Sequence, residues 1–418
     1  MEGSDAAEGG KPGELTFRRW KRFGAGGAKL IWGEAAAVVS EGRSNPRQLL
    51  AVRENLTELT ELVNETRRAH IEKCGSADDL LIGIQLTHAG RMAFEKPFIA
   101  CHSQVHDPLS FLDKLTGALL PDDYPIVTDE YLLGLEDKFV EAARVARDAG
   151  FDFVDIKQCH GYLLNELLGA RERSGEYGGS FKNRRRFVRN VVKKIRAALG
   201  TDIIIGSRLG VFDGIPYRKN ADTEVGEPVD YSTPCKWGWG IRKGDPLRED
   251  LTEPKRLVQA LSGAGLDFLG ISAGVPYWNP HFVRPFSGAT VGGYKSPEHP
   301  LEGVDRLFRL TAEIQGAFPD IPMVGAGYSW LREFMLPAAA ANVSMRRVSI
   351  AGVGRGAFAY PDFARDGMER GALDAKKVCL TDSMCSNMLK GRDEKGEKIP
   401  AGCPVRDSEY KKIYKSLV

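Results

Sequence analysis

No run of about 18 apolar residues occurs in the chain, so no membrane-spanning helix is expected. The opening stretch, MEGSDAAEGGKPGELTFRRW, has no apolar centre and does not read as a secretory signal. Neither sign of charge is in excess: 58 Lys and Arg stand against 56 Asp and Glu, a formal net charge of +2. Without a basic surplus or a long block of like charge, a dedicated nucleic-acid binder is disfavoured. Cysteine is scarce, 7 in 418 residues, odd in number and scattered, which argues against a disulfide framework. A reducing cytoplasm is the expected compartment. No self-similar period of about 20–50 residues stands out, which argues against a repeat architecture.

What is present is an alternation. Hydrophobic residues make up 42% and charged residues 27%, as in a soluble globular protein, and the length allows one large α/β unit or two ordinary ones. AKLIWGEAAAV (28–38) reads as a strand. Asn45-Pro46 is expected to open a long helix through about residue 73, with Gly75 past its end. LLIGIQL (80–86) is the next strand, followed by an irregular, proline-bearing stretch, 91–127. Thr128 starts a helix with Asp129 and Glu130 in its first turn, where negative charge is favoured. In FDFVDIK (151–157) a period of two puts Phe153, Asp155 and Lys157 on one face and Val154 and Ile156 on the other. A helix from about Ser180 to Gly200 and a strand IIIGSRLGV (203–211) follow. A long polar loop, 212–250, holds Trp237 and Trp239; Thr252 can cap a helix, and strands FLGISAG (268–274), PMVGAG (322–327) and VSIAGVGR (348–355) complete the series.

Seven strands separated by helices imply a parallel sheet. A doubly wound sheet would satisfy the pattern, but a TIM-type (β/α)8 barrel fits better, because site-like residues recur at the C-terminal ends of the strands, where a barrel assembles its site. Those residues are Glu34-Ala35, Gln85 to Arg91, Lys157 to Tyr162, Arg208, Gly325-Ala326-Gly327 and Gly354-Arg355. Late glycine turns beside an arginine suit a phosphate, since backbone N–H groups approach closely and the guanidinium neutralises charge. Gln85 offers donor and acceptor to a heterocycle, and Arg208 a permanent positive charge where an anion develops.

QLTHAGR, CHGYLLNELL, EYGGSFKNRRRF, GVGRGAFAYPDF and the early GGAKLIWGEAAAVVSEGRSNP resemble, in order and spacing, the motifs of the old yellow enzyme family, FMN-dependent oxidoreductases on a TIM barrel. The likeness extends to about residue 370 and implies a barrel over 1–370, with loops 91–127 and 212–250 over the site, and a C-terminal extension over 371–418. It implies roles as well. Ala35, Gln85 and Arg208 would contact the flavin ring, and Gly325, Gly327, Gly354 and Arg355 would hold the FMN phosphate. The family's substrate-gripping pair falls on Lys157 and His160, and its proton-donating tyrosine on Tyr162. The expected activity is NAD(P)H-driven reduction of the C=C bond of an α,β-unsaturated carbonyl compound, with NADH or NADPH as reductant and a small molecule as substrate. A homo-oligomer is the analogy the resemblance offers.

Three departures accompany the likeness. Lys157 replaces the first histidine of the pair, which would suit a carboxylate or thioester-linked acid, or would pair with Asp155. The chain opens after the segment that is the family's first barrel strand, so a strand is expected to be missing, and with it some flavin contacts; Met1 is then either internal or the start of a truncated product. Cys379, Cys385 and Cys403 lack the CxxC spacing of the iron–sulfur relatives, so no cluster is expected, and no metal site. Two other readings stand beside ene-reduction: oxidative demethylation or amine dehydrogenation, and a flavin-free pseudoenzyme. His88 reads as structural or second to the site, Cys159 as packed rather than reactive, and the two tryptophans as lids of the pocket or as anchors of their loop.

Overall fold

The computed structural model describes residues 3–113 and 116–416; Met1, on which the question of the true start turns, lies outside them. Eight parallel strands form the central sheet: β1 (Leu30–Ala37), β2 (Leu49–Leu50), β3 (Leu81–Thr87), β4 (Phe153–Ile156), β5 (Ile204–Gly210), β6 (Phe268–Ser272), β7 (Met323–Gly325) and β8 (Ile350–Ala351). Their order is β8-β7-β6-β5-β4-β3-β1-β2. Parallel strands need crossovers, and from β2 onward α-helices supply them. The helices around the sheet, in chain order, are α1 (Glu14–Ala25) before β1, α2 (Leu56–Cys74), α3 (Asp129–Asp148), α4 (Leu163–Gly169), α5 (Arg186–Leu199), α6 (Thr252–Ser262), α7 (Pro300–Ala317) and α8 (Met335–Ser344).

The seven strands read from sequence are all present. The eighth, β2, pairs Leu49 with Ala36 and Leu50 with Ala37. It falls where the sequence pattern implied helix: α2 begins at Leu56, not at Asn45-Pro46. Gln48 explains the delay, because its side-chain amide donates to the carbonyl of Ala35 at 3.2 Å and holds the next two residues against β1. The far end conforms, with Gly75 at φ 86° closing the helix. Thr128 caps α3 by accepting from the Tyr131 N–H. Within 212–250 two small antiparallel pairs form, 217–219 with 226–228 and 241–242 with 245–249.

The alternation along β4 works as expected. Val154 and Ile156 face the apolar layer under the helices, together with Ile82, Ile84, Ile205 and Leu209. Phe153 points the other way and meets Trp32 and Phe268 edge-on, at centroid distances of 5.6 and 5.2 Å, with Trp32 and Phe268 5.1 Å apart. Three rings from three strands thus fill the floor of the barrel. Glycines on neighbouring strands make the space. A Cβ on Gly83 would come within 2.2 Å of the Phe153 ring, and one on Gly206 within 2.4 Å of the Phe268 ring.

The two ends of the described chain meet beside β1. Arg19, buried on α1, contacts Asp5, donates to the Ala401 carbonyl at 3.0 Å and to the Tyr410 hydroxyl at 3.1 Å, and pairs with Glu34 on β1 at 3.3 Å. Asp5 in turn accepts from the Ala401 N–H at 2.9 Å and from the Tyr410 hydroxyl. Ser4 donates to the Ile399 carbonyl, and Asp407 pairs with Arg18 and Arg22. Each buried charge here has an opposite partner.

The aromatic floor gives a stability test. Gly206→Ala forces the Phe268 ring to move and is expected to cost about 1–3 kcal/mol, seen as a lower melting temperature by circular dichroism. Gly134→Ala, on α3 with open space around it, should instead leave stability unchanged or raise it by up to about 1 kcal/mol. Equal effects at the two positions would show that the floor is not tightly packed.

Candidate active site

Strand register builds the site from one row. Ala35 pairs with Gln85, Gln85 with Asp155, and Asp155 with Gly206. Asp155 is fully buried and receives the Trp32 indole N–H at 2.6 Å, the Gln85 amide and the backbone N–H of Arg208. Burial pushes its carboxyl above the usual range, and these three donors oppose that push. A carboxylate only accepts, so the nitrogen of Gln85 must face it, and the orientation of that amide is fixed. Asp155 is therefore occupied within the sheet by Trp32, Gln85 and Arg208.

One step further along, β4 leaves the sheet. The Gln158 N–H donates to the Arg208 carbonyl at 2.9 Å, which holds the exit against β5. Lys157 is buried, with its ammonium 3.8 Å from the centre of the Tyr162 ring, a cation–π contact. His160 adopts φ 69°, in the left-handed region that a non-glycine residue enters at a cost of about 1–2 kcal/mol. That turn aims its ring so that Nε2 lies 3.0 Å from the Ser272 hydroxyl at the end of β6. Burial, then the positive charges of Arg208 and Lys157, hold the imidazole well below its ordinary pKa, so it is neutral at physiological pH. Tyr162 heads α4, buried, with its hydroxyl 2.9 Å from that of Tyr277 and the two rings stacked. Lys157, His160 and Tyr162 thus converge at one mouth, joined by Ser272 and Tyr277, which carried no signal in the sequence.

Other candidates separate. His88 lies 2.9 Å from the Tyr131 hydroxyl and accepts from the Gly90 N–H, and burial pushes it down to about 3. Cys159 is buried and pushed up to about 11, so it stays a thiol. Trp239 donates to the Gly210 carbonyl at 2.8 Å and stacks on Phe181, anchoring its loop, whereas Trp237 lines a small cavity beside Gly161.

The late strands form the other end. Gly325 closes β7, Gly327 (φ 107°) opens the turn Tyr328–Phe334, and Gly354 precedes the short helix Arg355–Ala359. Arg355 donates to the Pro285 carbonyl at 2.6 Å, and its second terminal nitrogen is buried without a partner. Arg284 stands beside it, bonded to the Ser383 hydroxyl at 3.1 Å; burial and the neighbouring Arg355 lower its guanidinium to about 10. Among the described residues no carboxylate pairs with either arginine. Two like charges, one with an orphaned donor, call for a dianion, and the phosphate of FMN fits that requirement. Cys379, Cys385 and Cys403 line a cavity with Arg355.

Comparison with known proteins supplies the family and the fold. The profile of the NADH:flavin oxidoreductase / NADH oxidase family matches residues 21–229, half of the chain. The chain belongs to this family. An NADPH dehydrogenase of Halalkalibacterium halodurans is 32% identical over 200 residues, 47% of this chain and 53% of that protein. A putative 12-oxophytodienoate reductase 4 of Oryza sativa subsp. japonica is 37% identical over 149 residues, 34% of this chain and 37% of that protein. The chain thus spans about half the length of the curated relatives it matches. Among solved structures, the old yellow enzyme homologue of Zymomonas mobilis superposes with a TM-score of 0.60 at 21% identity, over 90% of this chain and 88% of that one. A 2-naphthoyl-CoA reductase complex gives 0.66 at 17% identity, over 97% of this chain and 54% of that one. These superpositions establish the TIM-barrel fold of this family member.

The half-buried imidazole, with its pKa held low, yields a direct expectation. In histidine-detected NMR the His160 ring should not titrate between about pH 6 and 8. A titration midpoint near 6.5 would show the ring to be solvated.

Proposed function

We propose that the chain is an ene-reductase of the old yellow enzyme type, reducing the C=C bond of an α,β-unsaturated carbonyl compound at the expense of NADH or NADPH. The observation that carries this reading is the convergence of Lys157, His160 and Tyr162 at the mouth of the barrel. Gln85, with its amide oriented by Asp155, Arg208 and the Ala35 backbone would hold the ring of FMN, and Gly325, Gly327, Gly354 and Arg355 its phosphate, with Arg284 beside them. FMN, when bound, supplies hydride transfer. The protein's own groups supply the rest.

Lys157 and the neutral His160 donate to the substrate's carbonyl oxygen and stabilise enolate charge as it develops. The ammonium adds a full positive charge where the family places a second imidazole, which favours substrates carrying a carboxylate or thioester near the carbonyl. Tyr162 delivers the proton to the α-carbon. Its ring is held against Lys157 and its hydroxyl against Tyr277, so the donor is restrained before substrate arrives.

Two variants test the reading. Tyr162→Phe should slow reoxidation of the reduced protein by an enone by about 10²–10⁴-fold, while reduction by NAD(P)H stays within about twofold; stopped-flow absorbance of the two half-reactions separates them. Reoxidation at an unchanged rate would remove Tyr162 from the proton-donor role. Lys157→His should shift kcat/KM away from acid and thioester substrates toward simple enones by about tenfold, the worth of one charge-assisted hydrogen bond. An unchanged substrate ranking would show that Lys157 does not set specificity.

A further inference from the structure

The two tyrosine-bearing loops at the mouth are built alike. After β4, the N–H of Gly161 donates to the side-chain oxygen of Asn165, four residues on, at 2.7 Å. After β6, the N–H of Val275 donates to the side-chain oxygen of Asn279, again four residues on. Both asparagines are buried, and both turn their amide nitrogens toward the same third element, the turn after β5. Asn165 donates to Asp213 Oδ1 at 3.1 Å. Asn279 donates to the carbonyls of Asp213 and Ile215, each at 2.8 Å. The other carboxylate oxygen of Asp213 accepts the Trp239 N–H at 3.1 Å, which brings in the long loop, and the Asp213 N–H donates back to the Trp239 carbonyl at 2.9 Å. One residue therefore ties three loops. Two of these carry Tyr162 and Tyr277, whose hydroxyls meet, and the first also carries His160 in its left-handed turn.

We propose that Asp213 is a positioning residue: its carboxylate clasps the loops that follow β4 and β5, its backbone carbonyl takes the asparagine of the loop that follows β6, and so it sets where His160 and Tyr162 stand, with Tyr277 beside them at the mouth. The inference rests on the ene-reductase reading for its catalytic consequence, though not for the clasp itself. A left-handed histidine persists only where its surroundings over-determine it. The Gly161 N–H held by Asn165 is such a restraint, and Asn165 is itself held by Asp213.

The clasp has a chemical condition. Both oxygens of Asp213 face N–H donors, so both must accept, and only the ionised form does so. Burial raises its pKa to about 7, against the pull of the bonds from Asn165 and Trp239. Arg91, Glu166 and His106 line the same small cavity. Arg91 pairs with Glu166 and with Asp107, each at 2.6 Å; burial raises Glu166 against the pull of Arg91, and burial and Arg91 hold His106 well below its ordinary value. As pH falls through about 7, Asp213 takes a proton, one oxygen turns from acceptor to donor opposite an N–H, and one bond of the clasp is lost.

Hydrogen exchange with peptide-level readout tests this, alongside the rate of enone reduction. In the wild-type protein, protection of the peptide containing Gly161, corrected for intrinsic exchange, should fall as pH drops from about 8 to about 6, while that of the peptide containing Val275, whose asparagine bonds backbone carbonyls, should not. In Asp213→Asn the protection of the Gly161 peptide should be about tenfold lower at pH 8 and independent of pH, the loss of about one buried hydrogen bond. Turnover should follow: a wild-type limb that falls below about pH 7, and a variant about tenfold slower without that limb, with reduction by NAD(P)H unchanged. Protection of the Gly161 peptide that is the same at both pH values in the wild type refutes the clasp, even if the variant does not fold. Protection and pH limb both retained in Asp213→Asn refute it as well. A chain that binds no flavin and reduces no enone defeats the ene-reductase reading alone, and the exchange data still decide the role of Asp213.

Discussion

The geometry of the barrel mouth depends on one buried carboxylate. Asp155 lies on β4 and takes hydrogen bonds from Trp32 on β1, Gln85 on β3 and the backbone of Arg208 on β5. Four strands are thereby cross-linked from inside the sheet, just above the aromatic floor. A carboxyl group out of water is costly unless its lone pairs are used, and here three donors use them. The same bonds determine what lies above. Gln85 is oriented, Arg208 is held at its height on β5, and the chain leaves β4 in register, so that Lys157 and His160 arrive together.

Much of this was legible in the sequence where the signal is local. Alternation along FDFVDIK separates the inward Phe153, Asp155 and Lys157 from the outward Val154 and Ile156, and the structure keeps that division. Capping at Thr128 and the stop at Gly75 are likewise local. The start of α2 was misread because Asn-Pro is a generic helix opening, whereas the bond from Gln48 to Ala35 that keeps residues 49–50 extended depends on a strand 13 residues earlier. The residues missed at the site share that property. Tyr277 matters through a hydroxyl 115 positions away, Ser272 through a ring 112 positions away, and Arg284 through Arg355. No spacing rule encodes such meetings; only the parallel sheet brings them about.

The two ends of the site use charge differently. At the mouth, the Lys157 ammonium lies against the Tyr162 ring and beside a neutral imidazole, so the region can answer a partial negative charge that appears and vanishes during a reaction. At the late strands, Arg284 and Arg355 stand together with no carboxylate among the described residues, an arrangement suited to a permanent dianion. Mobility of charge at one end and permanence at the other is the division of labour expected of a barrel that holds a phosphorylated cofactor by its tail and works at its ring.

The joining of residues 5–19 to residues 399–410 beside β1 bears on the order of events at the ribosome. Asp5 and Arg19 emerge early, yet the amide, carbonyl and hydroxyl that satisfy them belong to Ala401 and Tyr410, some 396 residues later for the pair Asp5–Ala401. At about 5–20 residues per second that separation is roughly 20–80 s of synthesis. During that interval the flank of β1 bearing Glu34 is without its final cover, and the barrel grows around an unfinished edge. Closure of this flank is therefore a late step, which waits for the segment around Ala401 and Tyr410 to reach Asp5 and Arg19.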